Sequence, residues 1–199
     1  MKCKTVKDYI KIQNGYAFKS IWFKDKGIRL LRNINMGHGK INWDKTVFLD
    51  EKKSKQFSKF QLSENDIVIS MDRPIISSGL KLVKLKKHDI PALLLQRVGK
   101  FKILNKNLDT DFLYLWLQSF YFLRSLNPGR SIGVPHVSST ELENIEFKIP
   151  IPSLCEQQEI VSQIEQGFSL IENTAQIVES TLQKLQTMKI SVLKQAIEG

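Results

Sequence analysis

From Val161 to Leu185 an apolar side chain returns every three or four residues, at Val161, Ile164, Phe168, Ile171, Ala175, Val178, Leu182 and Leu185. The steps alternate between three and four, which is a heptad seam. Held over this length, that period predicts a coiled-coil helix and not merely an amphipathic surface helix. Lys189 interrupts the register, Met188 flanks it, and Val192 and Ala196 resume the phase. A single helix over 156–197 is roughly 60 Å long at about 1.5 Å per residue. Gly167 and the Ser and Thr residues lower its intrinsic propensity. Its stability must therefore come from a partner that fills the seam.

Immediately upstream, Ile149-Pro150-Ile151-Pro152-Ser153 is held extended, because a residue before proline is pushed out of the α region. Ser153 with Glu156 three residues later fits a capping box. The chain thus divides into a first domain over 1–150 and a long helix within 151–199. Charge divides at the same place. Residues 1–150 carry 27 Lys+Arg against 14 Asp+Glu, whereas 151–199 carry 3 against 6. The formal net charge of +10 on 199 residues is all in the first domain. Such a concentration is the usual footprint of a phosphate-backbone binder, although a basic composition by itself specifies no partner.

Other classes fall away on composition. With 42% hydrophobic and 25% charged residues, the chain is neither disordered nor a disulfide scaffold. No apolar run reaches the roughly 18–20 residues of a membrane span, so no membrane partner is expected. Met1-Lys2-Cys3-Lys4 leads into no apolar stretch, and Cys3 and Cys155 have neither pairing nor metal-ligand spacing. That usage fits a reducing cytoplasm.

The first domain reads as α+β. Short strands are expected at Ile28–Ile34, Asp66–Met71, Leu80–Leu85 and Val98–Leu104, where β-branched or alternating apolar residues recur. Phe112, Leu115, Trp116, Ser119 and Leu123 have helical spacing over 111–126, with Asp109 or Thr110 as cap. Ser138 or Ser139 caps a short helix through Glu143. Gly and Asn mark loops at 33–39, 77–79 and 127–133.

No catalytic constellation appears. The chain lacks a GxxxxGK[ST] phosphate loop and a GxGxxG dinucleotide turn, and its three histidines stand far apart. Neither a cofactor nor a metal is expected. What remains are polar loops. Arg32, Asn33, Asn35, His38 and Lys40 lie in one Gly-rich segment. Arg pairs bidentately with guanine and Asn with adenine, so these residue types suit major-groove readout; equally, Asn and Gly can simply supply a turn. Asp72-Arg73 with Ser77-Ser78 makes a second cluster, alternatively a local Asp–Arg pair and a serine turn. Arg130 and His136 belong to a third. Lys19 and the other lysines suit phosphates or solvent better than bases.

Together these pieces resemble the specificity subunit of type I restriction–modification systems, and one half of such a subunit in particular. Ile149-Pro150-Ile151-Pro152-Ser153-Leu154-Cys155-Glu156-Gln157-Gln158-Glu159-Ile160-Val161 resembles the family's proline-rich lead-in to its spacer helix, and Leu193–Gly199 resembles the helix end. Gly15–Ser20, Ile28–Ile34, Asn65–Ser70 and Leu95–Val98 resemble framework stretches of a target recognition domain, in the family's order. Two departures are local. Asn65 stands where the family often has Gly, and Met71-Asp72-Arg73-Pro74 replaces an Arg-Asp-Gly-like turn. The third is length, since family members usually carry two recognition domains and two spacer helices.

The resemblance implies a recognition domain with a small mixed β-sheet and flanking helices, followed by one long coiled-coil helix. It implies a non-catalytic DNA reader that recruits methyltransferase and restriction subunits. In the full subunit two spacer helices pair antiparallel, so a half-subunit with an exposed seam should pair with a second copy of itself. Val161, Ile164, Phe168, Ile171, Val178, Leu182 and Leu185 would then form the partner face. Two identical readers imply a bipartite palindrome in double-stranded DNA. The expected DNA-facing residues are Lys19, Arg32, Asn33, Asn35, His38, Lys40, Arg73, Ser77, Arg97, Arg130 and His136. A basic coiled-coil interaction module, or an inactive fragment of a longer specificity subunit, stands as the alternative.

Overall fold

The structure, a computed structural model, describes residues 5–126, 136–147 and 151–198. These divide into two compact units, Met1–Leu154 and Cys155–Gly199. Strands of the first unit, in chain order, are β1 (Ile10–Asn14), β2 (Ile28–Leu31), β3 (Val47–Leu49), β4 (Ile67–Ser70), β5 (Ile75–Ile76), β6 (Gly79–Leu80), β7 (Leu82–Lys84), β8 (Ala92–Leu94) and β9 (Val98–Ile103). Its α-helices are α1 (Glu51–Ser54), α2 (Thr110–Trp116), α3 (Phe120–Leu126) and α4 (Ser139–Glu143).

A four-stranded antiparallel sheet runs in the order β1-β9-β4-β7. All four residues of β4 are buried, as a β-branched run at the middle of a sheet requires. A second sheet, β3-β2-β8, pairs β2 with β8 in parallel through Leu30 and Leu93, and β2 with β3 antiparallel. β5 and β6 form a small hairpin around Ser77-Ser78. Leu31, Val68, Val83, Leu85, Leu94 and Val98 share one core cluster, drawn from both sheets. Another cluster, around Leu30, Leu49 and Leu93, is covered by Tyr16, Trp22, Phe57 and Phe60. Tyr16 sits with its ring centroid 4.7 Å from that of Phe57 and 5.3 Å from that of Phe60.

Between the sheets the chain passes through Gly15. There the Gly15 amide donates to Val98 O and the Tyr16 amide to Leu94 O, both at 3.0 Å. A Cβ at Gly15 would lie 2.1 Å from the Leu95 carbonyl oxygen, so only glycine allows this approach.

Three expectations are modified. The strand expected over Leu80–Leu85 is divided between β6 and β7, which lie in different sheets. The helix expected over 111–126 is split into α2 and α3. Ser119 restarts it, its Oγ accepting from the Phe122 amide at 3.3 Å while Leu123 closes the first turn on the Ser119 carbonyl. The strand expected over Ile28–Ile34 ends at Leu31, and Asn33–Asn35 turn as a 3-10 helix. Strands β1, β3, β5 and β8 were not among those expected. Asp109 caps α2, accepting from the Asp111 and Phe112 amides at 2.8 and 3.0 Å. Ser138 and Glu141 form a capping box on α4. Glu143 at the end of α4 accepts from the Ile12 amide at 2.8 Å, fixing the helix against the edge strand β1.

The second unit is a single helix, α5 (Leu154–Glu198), 45 residues and about 67 Å long. Among the described residues, no helix is long and apolar enough to cross a membrane.

Candidate nucleic-acid interface

Several polar loops converge beyond the end of β4. The Met71 amide donates to Arg97 O at 2.8 Å, and the Val137 amide to Met71 O at 2.9 Å. These bonds bring the segment after β4, the β8–β9 turn and the chain at His136 side by side, and Asp72 forms a bridge with His136. The Gly-rich loop joins from the other side. Gly39 donates to Leu82 O at 3.0 Å, and His38 Nδ1 lies 3.0 Å from Leu80 O. Gly79 makes room for that imidazole, since a Cβ there would sit 2.8 Å from His38 Nδ1.

A hydrogen-bond network runs through the cluster. Ser70 Oγ donates to Asn33 Oδ1 at 2.6 Å and lies 2.7 Å from Asp72 O. Lys81 Nζ donates to the same Asn33 oxygen at 3.1 Å. Asn33 Nδ2 in turn donates to Asp72 Oδ2 at 3.3 Å, and Arg97 Nη1 donates to that oxygen at 3.2 Å. Asp72 is therefore the hub, its Oδ2 bonded by Arg97 and Asn33, with Lys81 one bond further out on the Asn33 oxygen and the His136 backbone paired alongside.

Strain marks the same place. Arg73 and Arg97 both have left-handed backbone, with φ of 46° and 66°. A non-glycine residue in that region costs on the order of 1–3 kcal/mol. The Arg97–Asp72 pair, with the Arg97 side chain 64% exposed, returns roughly 0.2–1 kcal/mol at best. Stability alone does not account for arginine at either position. The backbone sets both arginines on the turns that meet at the cluster, Arg97 bonded to Asp72 and Arg73 exposed directly after it.

The expected residues separate into groups. Asn33, Arg73, Arg97, His38 and His136 lie on the converging segments. Ser77 is exposed at the β5–β6 tip, and Lys40 is exposed next to Gly39 in the pinned loop. Asn35 is 1% exposed. Its Oδ1 accepts from the Arg32 amide at 3.2 Å and its Nδ2 donates to Asn42 O at 3.0 Å, so its amide closes the loop from inside. Arg32 is half-buried and its Nη2 donates to Lys45 O. Lys19 lies with Nζ 5.7 Å from the centre of the Trp22 ring, over which Lys53 also sits at 3.7 Å. Arg130 is outside the described residues. Ser70, Lys81 and the 59% exposed Ile34 were not singled out from sequence, although a serine closing an apolar strand before Asp72 was a visible signal.

A second surface lies on α5. Val161 is buried and Ile164 half-buried, whereas Phe168, Ile171, Val178, Leu182 and Leu185 are 53–66% exposed. Leu170, Thr174 and Ala175 widen this strip into an apolar groove. Exposed apolar side chains in a continuous row are the mark of an unpaired interface. No cluster of metal-ligating side chains occurs among the described residues.

A basic α+β domain with a strained polar rim, together with a long helix bearing an apolar seam, defines a recognition module with a spacer. The chain belongs to the family described as the type I restriction modification DNA specificity domain, which matches residues 1–183. It is 46% identical over 170 residues to the type I restriction enzyme EcoAI specificity subunit of Escherichia coli, covering 85% of this chain and 28% of that protein. Against the MjaVIII specificity subunit of Methanocaldococcus jannaschii it is 37% identical over 169 residues, covering 84% and 39%. A chain from a structural study of complex assembly and conformational transition of the type I R-M system shares the fold, with TM-score 0.62, 16% identity, and coverage of 92% of this chain and 43% of that one. The HsdS subunit from Thermoanaerobacter tengcongensis does so with TM-score 0.58, 16% identity, and coverage of 86% and 38%. The chain spans less than half the length of each of these relatives.

Proposed function

We propose that this chain reads DNA sequence for a type I restriction–modification complex and carries no catalytic step itself. The observation that supports this most directly is the convergence of Asn33, Asp72, Arg73, Arg97 and His136 on one rim of a domain from the specificity family. Base-edge contacts there supply discrimination, about 1–3 kcal/mol for each good bidentate pair. The surrounding lysines meet phosphates and supply salt-dependent affinity. The exposed seam of α5 pairs two copies, so that two identical domains read two equal half-sites in double-stranded DNA, with a gap set by helix length. The same helix docks the methyltransferase subunits, and a restriction subunit completes the complex in the cytoplasm.

The test is the methylome of cells that co-express the chain with the methyltransferase subunits of its system. A new bipartite palindromic motif is the expected result. No new methylation, with both proteins soluble, overturns the reading in favour of a fragment or of an interaction module.

A further inference from the structure

We infer that Asp72 and Arg97 act together as a reader of a single G·C base pair, with Asn33 and Lys81 holding the pair in place; this rests on the DNA-reading function proposed above. The charge of the rim is uneven at one point. A carboxylate at the centre of a basic, DNA-facing rim repels phosphates and weakens every non-specific contact. The domain keeps Asp72 there and fixes it from several sides. Arg97 Nη1 and Asn33 Nδ2 both donate to Oδ2, at 3.2 and 3.3 Å, and the Asp72 amide faces Ser70 Oγ at 3.4 Å. Lys81 and Ser70 together occupy the Asn33 carbonyl oxygen, so the Asn33 amide can turn only its nitrogen toward Asp72. Asn33 is thereby engaged as a buttress.

The free valences of the pair have a definite pattern. Among the described residues, Asp72 Oδ1 has no hydrogen-bond partner, and the Asp72 side chain is 26% exposed. Arg97 spends one Nη1 proton on Asp72 and keeps the other together with its Nη2 protons, so the terminal Nη2–Nη1 edge stays available beside the carboxylate. Side by side, the pair offers two donors and then an acceptor. In the major groove a G·C pair presents guanine N7 and O6 as adjacent acceptors, followed by the cytosine N4 amine as a donor. The two patterns are complementary. An A·T pair instead puts the adenine N6 amine against the guanidinium and thymine O4 against the carboxylate, both repulsive. A T·A pair replaces one acceptor with the thymine methyl group, and C·G reverses the order. The left-handed backbone at Arg97 and the bond from the Met71 amide to its carbonyl fix the site of the pair relative to β4, which limits the entropy lost when the pair engages a base.

The test is selection from a randomised duplex library by the purified full chain and by two variants, Arg97→Lys and Asp72→Ala, alongside affinity for a fixed duplex lacking the selected motif. Lys keeps the charge and loses the planar fork. The wild type should select a motif in which at least one G·C position is preferred by about tenfold or more, and both variants should lose that preference at the same position. Asp72→Ala should also bind the motif-free duplex more tightly than wild type does, because a carboxylate has left the basic rim, so its loss of base preference cannot be put down to weakened DNA binding. If Asp72→Ala fails to fold, Arg97→Lys, altered only at an exposed side chain, decides the matter by itself. A wild-type motif that neither variant relaxes at any G·C position overturns the inference and leaves DNA reading intact. A wild type that selects no motif overturns both.

Discussion

At the scale of single residues, similar side chains in one loop have opposite roles. Asn33 and Asn35 are two positions apart, yet Asn33 lies at the rim while Asn35 is shut inside with both halves of its amide bonded to the chain. Asn35→Ala should lower stability by about 1–3 kcal/mol in urea unfolding, because the Arg32 amide and the Asn42 carbonyl lose their partner. Arg73→Ala, at an exposed side chain, should leave the unfolding midpoint nearly unchanged and weaken DNA binding. Gly15→Ala should be more damaging than its size suggests, by at least about 1–3 kcal/mol, since the added methyl meets backbone and not a movable side chain. In the sequence, Asn33, Arg73 and Arg97 stand out by residue type alone. A local pair of Asp72 with its neighbour Arg73 is one of the two readings the sequence allows, whereas the structure pairs Asp72 with Arg97 across a backbone bond between Met71 and Arg97. A contact made through two separate turns leaves no trace in local spacing.

At the scale of elements, what was legible followed from length and period. The long seam of α5, the apolar run of β4 and the alternation of β9 were read directly. Strands β3 and β8 have three residues each, too few for any period to register, and they exist because β2 pairs with both. The α2–α3 break was hidden because Ser119 fits the helical spacing while capping a new turn. The Ser138 cap was legible, and Ser138→Ala should lower stability by about 1 kcal/mol. On α2, burial holds the Tyr114 phenol above its ordinary 10.0, with a hydrogen bond from the Lys84 backbone pulling the other way. The folded chain therefore keeps a proton that the unfolded chain releases, and stability falls as pH rises past that ordinary value. Tyr114→Phe should remove this part of the alkaline loss, measured as the difference in urea midpoint between about pH 9 and pH 11.

At the scale of the whole molecule, two properties predict separable behaviour. The basic first unit predicts DNA affinity that falls steeply with salt, whereas a protein-binding or membrane-binding head predicts no sequence preference at any salt. The bare seam predicts a dimer of about 46 kDa by light scattering, twice the 23.0 kDa of one chain. Ile171→Asp with Val178→Asp should give monomers, and a dimer that survives both changes rules out the seam as its interface. The seam also makes distance a discrete variable. A spacer helix that must keep one apolar face toward its partner gains or loses length most readily in whole heptads, each about 10 Å. That is the rise of about three base pairs. A target gap measured out by such a rod would therefore evolve in jumps, each of which also turns the second half-site to a new side of the duplex.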